Sequence, residues 1–403
     1  MASADEGEQV PVAELPDEED EYDDEGRGDG TEDEETAAHE DGIGFDPASI
    51  DVQTRNPTVS LLLNRLRRGV LDLDADFQRK AGLWDNVRQS RLIESILLRF
   101  PLPTLYAAES SDEGWTIVDG IQRLTAIARF VAPEFLTVPP GSPPTERLRL
   151  TGLEYLKGLD GKTYPDLSGG HQTRIDETEL VVHLIRSGTP EAVMFNIFGR
   201  INTGGLPLTT QELRHALIPG RARDLLRELA GDAEFLEATQ RSIRPDRMAD
   251  REMILRFLAF RQVNLGEYKY QDLDAFLRES MKLINVLPNE EIALLVADFR
   301  RSMAAARAVF GEHAFRKVFE KGQTRRSPIN KALFEAVSVN LAALTPGQLT
   351  LLKDRRAVAM EAMVDLMRAD EQFMSSISYA TGSRMRVKRR FEGVQKMLQG
   401  VLA

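Results

Sequence analysis

The chain has 403 residues, a net charge of −13, 42% hydrophobic residues and no cysteine. That length allows one large domain or two to three ordinary ones, and the apolar fraction suits a folded globular protein. The lack of cysteine excludes disulfides, thiolate metal ligands and cysteine nucleophiles together.

The N-terminus shows no basic-then-apolar leader, and no run approaches the ~20 apolar residues that span a bilayer. A soluble cytoplasmic protein with no membrane partner is therefore expected. The charge is uneven: residues 1–41 hold 19 acids and one Arg, or −18, while the rest holds 45 acids against 50 bases, or +5. Residues 1–44, including "ELPDEEDEYDDEGRGDGTEDEE", have too little apolar surface to offset ordering and are expected to be disordered. Two readings stay open for this acidic tail. It is either a solubility device or an electrostatic decoy that covers basic surface and competes with nucleic acid.

Residues 57–68, "PTVSLLLNRLRR", predict a helix with Leu61, Leu62 and Leu66 on one side. "LDLDADFQRKAGLW" follows as a short extended segment and a loop. Asp85 is placed to cap "NVRQSRLIESILLRF", whose apolar face is Val87, Ile93, Ile96 and Leu97. "RFPLPT" must be a loop, because each proline disfavours helix at the residue before it. "TLYAA" and "WTIV" are short strand-type runs around the turn-like "ESSDEG".

A helix starts at once after the second run, in "VDGIQRLTAIARF" (118–130). Asp119 at the N-cap and Gln122 three residues on would make a capping box, with Leu124, Ile127 and Ala128 buried behind it. Arg123 does not fit that account, since a cation in the first turn faces the positive end of the helix dipole. An anion on the amides of Gly120, Ile121 and Gln122 would turn the penalty into a gain, with Gly120 allowing close approach.

Residues 138–178, rich in Pro, Gly and polar residues, read as an excursion. "ELVVHLI" (179–185) is the next strand. Thr189 and Pro190 then open a helix that runs to about Ile201, breaks at "NTGG" and restarts at Thr209, where "TTQE" forms a capping box with Glu212. From about residue 221 onward, helical spacing dominates.

Four blocks occur in order: "FQRKAGLW" (77–84), "LIESILLRFPLP" (92–103), "IVDGIQRLTAI" (117–127) and "FGRINTGGLPLTTQELRHAL" (198–217). Over roughly residues 57–220 the chain resembles the N-terminal domain family of GmrSD-type modification-dependent restriction enzymes. The resemblance implies an α+β protein, with a ParB/sulfiredoxin-like nucleotide-binding domain over 45–220 and an all-helical domain over 221–403. The family signature "DGQQR", associated with NTP binding and hydrolysis in phage defence, stands here as "DGIQR". Ile121 removes one side-chain contact but leaves the backbone amides, so binding should tolerate the change better than hydrolysis. The cysteine-dependent chemistry of the sulfiredoxin branch is excluded.

Carried over residue by residue, the nucleotide-binding set is Gln78, Arg79, Gly120, Ile121, Gln122, Arg123, Arg200 and Asn202. Asp119 and Arg123 would be the catalytic pair, and Asp119 would also position metal or water. The implied cofactor is an NTP with Mg²⁺. Plainer readings stand beside these. Arg79 could be a surface arginine after a strand, Trp84 a core or lid residue rather than a base-stacking platform, and Asn202 with Gly204 a helix end. Glu212 and Arg214 read as capping and ion-pairing residues.

Many relatives carry a C-terminal HNH nuclease. Here His39, His171, His183, His215 and His313 are scattered, "EYK" (267–269) lacks a convincing partner acid, and no phosphate-loop motif is present. The basic terminal stretch "SRMRVKRRFEGVQKML" reads either as a packing helix or as a nucleic-acid contact. The expectation is an NTP-binding or NTP-hydrolysing component of a GmrSD-like phage-defence or restriction system that gates DNA recognition or a separate nuclease subunit. It would not itself be a nuclease. The alternative is a DNA-binding or scaffold protein that keeps the fold without turnover.

Overall fold

A computed structural model describes residues 31–32, 49–73, 84–110, 113–137, 143–201, 208–245, 247–263, 268–270, 272–379 and 381–403. Gln78, Arg79, Asn202, Gly204, Glu267 and most of the acidic tail lie outside the described residues.

The N-terminal part runs β1 (Val52–Arg55), α1 (Val59–Arg67), β2 (Leu71–Asp72), α2 (Asn86–Leu97), β3 (Leu105–Glu109), β4 (Trp115–Asp119), α3 (Ile121–Val131), α4 (Gly169–Asp176), β5 (Val182–Ile185), α5 (Glu191–Ile201) and α6 (Thr210–Leu217). The five strands form one mixed sheet in the order β1-β5-β3-β4-β2. The outer pair β1/β5 and the central pair β3/β4 are antiparallel, while β5/β3 and β4/β2 are parallel.

Strand alternation divides the sheet between two cores. Leu105, Ala107, Ile117, Val182 and Leu184 pack with the buried faces of α1, α2 and α3. Ala108, Val118 and Ile185 join α5, α6 and the helical part in the other cluster. The apolar interior is thus continuous from one sheet face into the C-terminal helices.

Side-chain caps set several helix starts. The Thr58 hydroxyl accepts the Leu61 amide at 3.3 Å, and Asp85 accepts that of Arg88 at 2.7 Å. Thr209 and Glu212 form the expected reciprocal box, at 3.1 and 2.8 Å. The buried face of α1 is Val59, Leu62 and Leu63, whereas Leu61 is half exposed. Strand β1 was not expected. Its exposed, mixed-polarity residues give no alternating signal, and it forms by pairing with β5. The Thr189 hydroxyl accepts the Asp51 amide at 3.1 Å, tying the chain entering β1 to the chain leaving β5.

The excursion is irregular but anchored. The buried Glu94 carboxylate accepts the amides of Glu154, Tyr155 and Leu156 at 3.0, 2.7 and 2.7 Å. Burial alone would raise this carboxyl, but the three amides and Arg91 hold it below its usual value. Helix α4, capped by Ser168, closes the excursion.

The C-terminal part contains α7 (Arg221–Ala230), α8 (Ala233–Ala238), α9 (Ala249–Gln262), α10 (Leu273–Val286), α11 (Asn289–Phe310), α12 (Lys331–Ala342), α13 (Pro346–Asp354), α14 (Arg356–Ala369), α15 (Glu371–Ser378) and α16 (Arg384–Leu402). Residues 311–330 interrupt the expected helical run with a short 3₁₀ turn and a bridge between Arg316 and Ile329. Every residue of α9 from Ala249 to Phe260 is buried, including Asp250, Arg251, Glu252 and Arg256. These buried charges are tied together. Arg256 donates to Glu252 (2.7 Å) and to Glu335 (2.7 Å), and Glu335 also accepts from Arg390. Arg214 of α6 lies 3.9 Å from Glu252 and donates to Asp274. Burial would raise the Glu252 carboxyl, yet Arg256, Lys331 and Arg214 together drive it far below the usual carboxylate range.

The basic terminal helix is partly committed within the protein, with Arg384, Lys388 and Lys396 exposed. Arg390 is fully buried, Arg389 pairs with Asp370, and Arg386 donates to the Tyr379 carbonyl. Among the described residues, no helix is long and apolar enough to cross a membrane.

Two outcomes follow from these anchors. Glu335→Ala removes the carboxylate that holds the fully buried Arg390 and also serves Arg256, and should lower unfolding free energy by about 3–5 kcal/mol, read from urea midpoints. Glu94 titrates lower in the folded state, so its contribution is present above the ordinary carboxylate value and lost as pH falls through the depressed one. Glu94→Gln should therefore flatten the acid limb of a stability–pH curve; an unchanged limb would show that the three amide bonds contribute nothing net.

Candidate functional site

The junction between β4 and α3 is built on Gly120. This residue sits at φ +93°, in the left-handed region, and forms the N-cap of α3. A Cβ there would lie 2.1 Å from Leu105 Cδ2 and 3.2 Å from Arg123 Nη2. The position therefore needs glycine twice, for its backbone and for its space. Asp119 remains the last residue of β4, so the capping box expected between Asp119 and Gln122 is not formed. No described side chain caps α3.

Arg123 instead folds back over the junction. Its Nη2 donates to Asp119 Oδ2 at 3.0 Å, and its Nη1 donates to the carbonyls of Pro103 and Thr104, the latter at 3.0 Å. The guanidinium thus latches the start of α3 to the loop entering β3. Burial pulls Arg123 below the ordinary arginine value while Asp119 opposes the shift, and the group stays charged at neutral pH. These three bonds give Arg123 a part in the fold, so its removal would cost stability.

Ile121 is buried in the cluster beneath the sheet, so its side chain faces the core while its amide opens the first helical turn. Gln122 Oε1 accepts the Trp84 amide at 3.4 Å, and Gln89 donates to the Trp84 carbonyl at 2.6 Å. Trp84, the last residue of the "FQRKAGLW" block, is thereby held at the first turn of α3. β2 runs parallel to β4, so both strands point toward the Asp119 end of the sheet. The first and third blocks thus meet through Trp84 and Gln122, and Gln78 and Arg79 lie outside the described residues. The Trp84 ring packs partly buried against the N-terminal core, which agrees with the core reading.

The fourth block reaches the sheet through α6, which packs against β4. Arg200 is exposed in the last turn of α5, and Asn202 falls outside the described residues. Glu212 completes its cap and pairs with Arg247 at 3.0 Å, as its reading required. Arg214 pairs too, but is 1% exposed, a depth that its helical spacing did not signal. Tyr268 of the "EYK" stretch is buried and donates to the Gly382 carbonyl at 3.0 Å, a packing role. Among the described residues, no three His, Asp or Glu side chains are placed to hold a metal ion.

A mixed-sheet α/β module with a glycine-hinged strand-to-helix junction, continuous with a large helical part, is the class these observations define. Within it, residues 59–219, or 161 of 403, match the family model of the GmrSD restriction endonuclease N-terminal domain. That match covers the sheet strands from β2 to β5 and α1 through α6. No curated protein and no solved structure matches the chain.

The hinge can be tested against another glycine. Gly161 also has positive φ (+79°) but open space around its Cβ position. Gly161→Ala should cost only about 1 kcal/mol for the left-handed backbone. Gly120→Ala should cost about 2–4 kcal/mol, because overpacking adds to that term. Equal losses in thermal unfolding would mean that Leu105 yields freely and that close packing does not explain Gly120.

Proposed function

We propose that this chain is the nucleotide-binding component of a GmrSD-type restriction system, with the phosphates seated at the start of α3 beside Asp119 and Arg123. The observation that carries the reading is the junction itself. An 11-residue helix begins at a left-handed glycine with no described side-chain cap, and a conformationally fixed arginine lies over it. First-turn amides and the helix dipole favour an anion there, and Gly120 presents backbone rather than a side chain.

In this reading the amides of Ile121 and Gln122 bind phosphate oxygens and Arg123 supplies positive charge without rearrangement. Its latch to Pro103 and Thr104 holds the fork in place before ligand arrives, which spares an ordering cost on binding. Gln78 and Arg79 would come from the neighbouring loop, with Arg200 and Asn202 closing the far side. Asp119 offers one carboxylate toward Mg²⁺. That is enough for an ion carried mainly by triphosphate and water, and too little for a site held by protein alone. Turnover, if the site supports it, would need a positioned water, for which Asp119 is the acceptor at hand. DNA and a separate nuclease subunit are the partners proposed for the gated step.

Calorimetric titration of the full chain with each NTP and Mg²⁺ should give saturable binding with at least one nucleotide. Arg123→Lys keeps a charge but loses the planar fork, so it should weaken binding and also lower the melting temperature. Arg123→Ala should do both more severely. No heat of binding from any NTP to the unaltered chain, alongside a lowered melting temperature in Arg123→Ala, would leave the latch as the whole role of Arg123.

A further inference from the structure

The described residues of the acidic N-terminal segment, Thr31 and Glu32, contact the helical part. Thr31 pairs in parallel with Ile329, which also bridges Arg316, and the Glu32 amide donates to the Ile329 carbonyl at 2.8 Å. The Glu32 carboxylate accepts from Lys317 Nζ and, at 2.8 Å, from Asn330 Nδ2.

Those two donors are held ready by the fold. Asn330 is 4% exposed; its Oδ1 caps α12 through the Leu333 amide at 2.7 Å, and its Nδ2 also donates to the Ile377 carbonyl at 2.7 Å. One amide proton is thus left for Glu32. The Lys317 ammonium, with 14% of its side chain exposed, is braced by Ser378 Oγ at 2.9 Å. Without a carboxylate in this slot, a buried N–H would lose a partner and a poorly hydrated cation its counter-charge, both costly.

We propose that the slot formed by Lys317 and Asn330 beside the Ile329 backbone is a docking site for an acidic extended segment, and that its occupant is the chain's own N-terminal segment, seated through Thr31 and Glu32. Backbone pairing supplies a strand-addition contact and the carboxylate supplies its specificity. The anchor joins residues 1–41, net charge −18, to the α12/α15 side of a body whose net charge is +5. Glu32 is thereby an intramolecular ligand of the helical part rather than a free counter-charge. This inference does not depend on nucleotide binding.

The test uses the full chain. Hydrogen exchange should show the Glu32 amide slowed relative to an unstructured peptide. Glu32→Gln and Lys317→Met should each speed it by about tenfold, the worth of one charge-assisted bond, with helical circular dichroism unchanged. Carbodiimide, which condenses a carboxylate with an adjacent amine, should couple Glu32 to Lys317. In an equal mixture of isotopically light and heavy chains, the coupled peptide should carry a single label type. A Glu32 amide that exchanges at the unstructured rate in the unaltered chain would overturn the docking site, and mixed-label peptides alone would overturn its occupation by the same chain.

Discussion

The chain of buried ion pairs running from Arg214 through Glu252, Arg256 and Glu335 to Arg390 is the constraint on which the two parts of the molecule depend. It draws one member from α6, two from α9 and one each from α12 and α16. Charges so deep are expensive to desolvate, and each is tolerable only while its neighbours stay in place. Hydrophobic contacts between the same helices could slide by a fraction of a turn at modest cost. Forked hydrogen bonds between arginine and carboxylate could not. The network therefore fixes register where the apolar core supplies cohesion.

That register reaches the candidate site through α6. The helix packs on β4, and Arg214 on its buried side is gripped by Asp274 and Gln211 as well as facing Glu252. Strand β4 ends at Asp119, and one residue later Gly120 turns the chain into α3. Arg123 then closes the corner onto Pro103 and Thr104. A site built this way stands on strand ends and a helix start, with the Arg123 guanidinium already oriented. The preference for a preorganised site over a loop-borne one follows from the precision that binding a compact anion demands.

Much of the N-terminal architecture was legible because local chemistry decides it. Thr58, Asp85 and Thr209 cap helices where their side chains can reach the amides, and "TLYAA" and "WTIV" pair across a short turn. The junction was half legible. The motif located it, but the choice of Gly120 over Asp119 as the N-cap depends on Leu105 and Arg123 crowding the space, a tertiary fact. Strand β1 and the interior arginines were not legible for the same kind of reason. Val52–Arg55 is a strand only because β5 lies beside it. In α9 the charges fall at spacings that an exposed helix would also show, and only packing on every side turns Glu252 and Arg256 into core residues. A composition that fits a solvated face and one that fits a satisfied ionic core are the same string of letters.

The same distinction changes what the net charge means. The body from residue 42 onward carries +5 by count, which invites a picture of basic surface open to nucleic acid. Yet Arg214, Arg256 and Arg390 lie inside with Glu252 and Glu335, and Arg386, Arg389 and Arg123 donate to neighbouring groups within the protein. A phosphate backbone responds to cations it can approach, so those side chains contribute little counterion release. The acids of residues 1–41 are concentrated in one stretch, with Glu32 seated on the helical part. Electrostatic attraction of a polyanion to this chain is thus set by fewer arginines than the formula counts and opposed by a segment anchored to the same body. Recognition of nucleic acid by such a molecule would have to come from positioned groups at a defined site, because the diffuse field favours release.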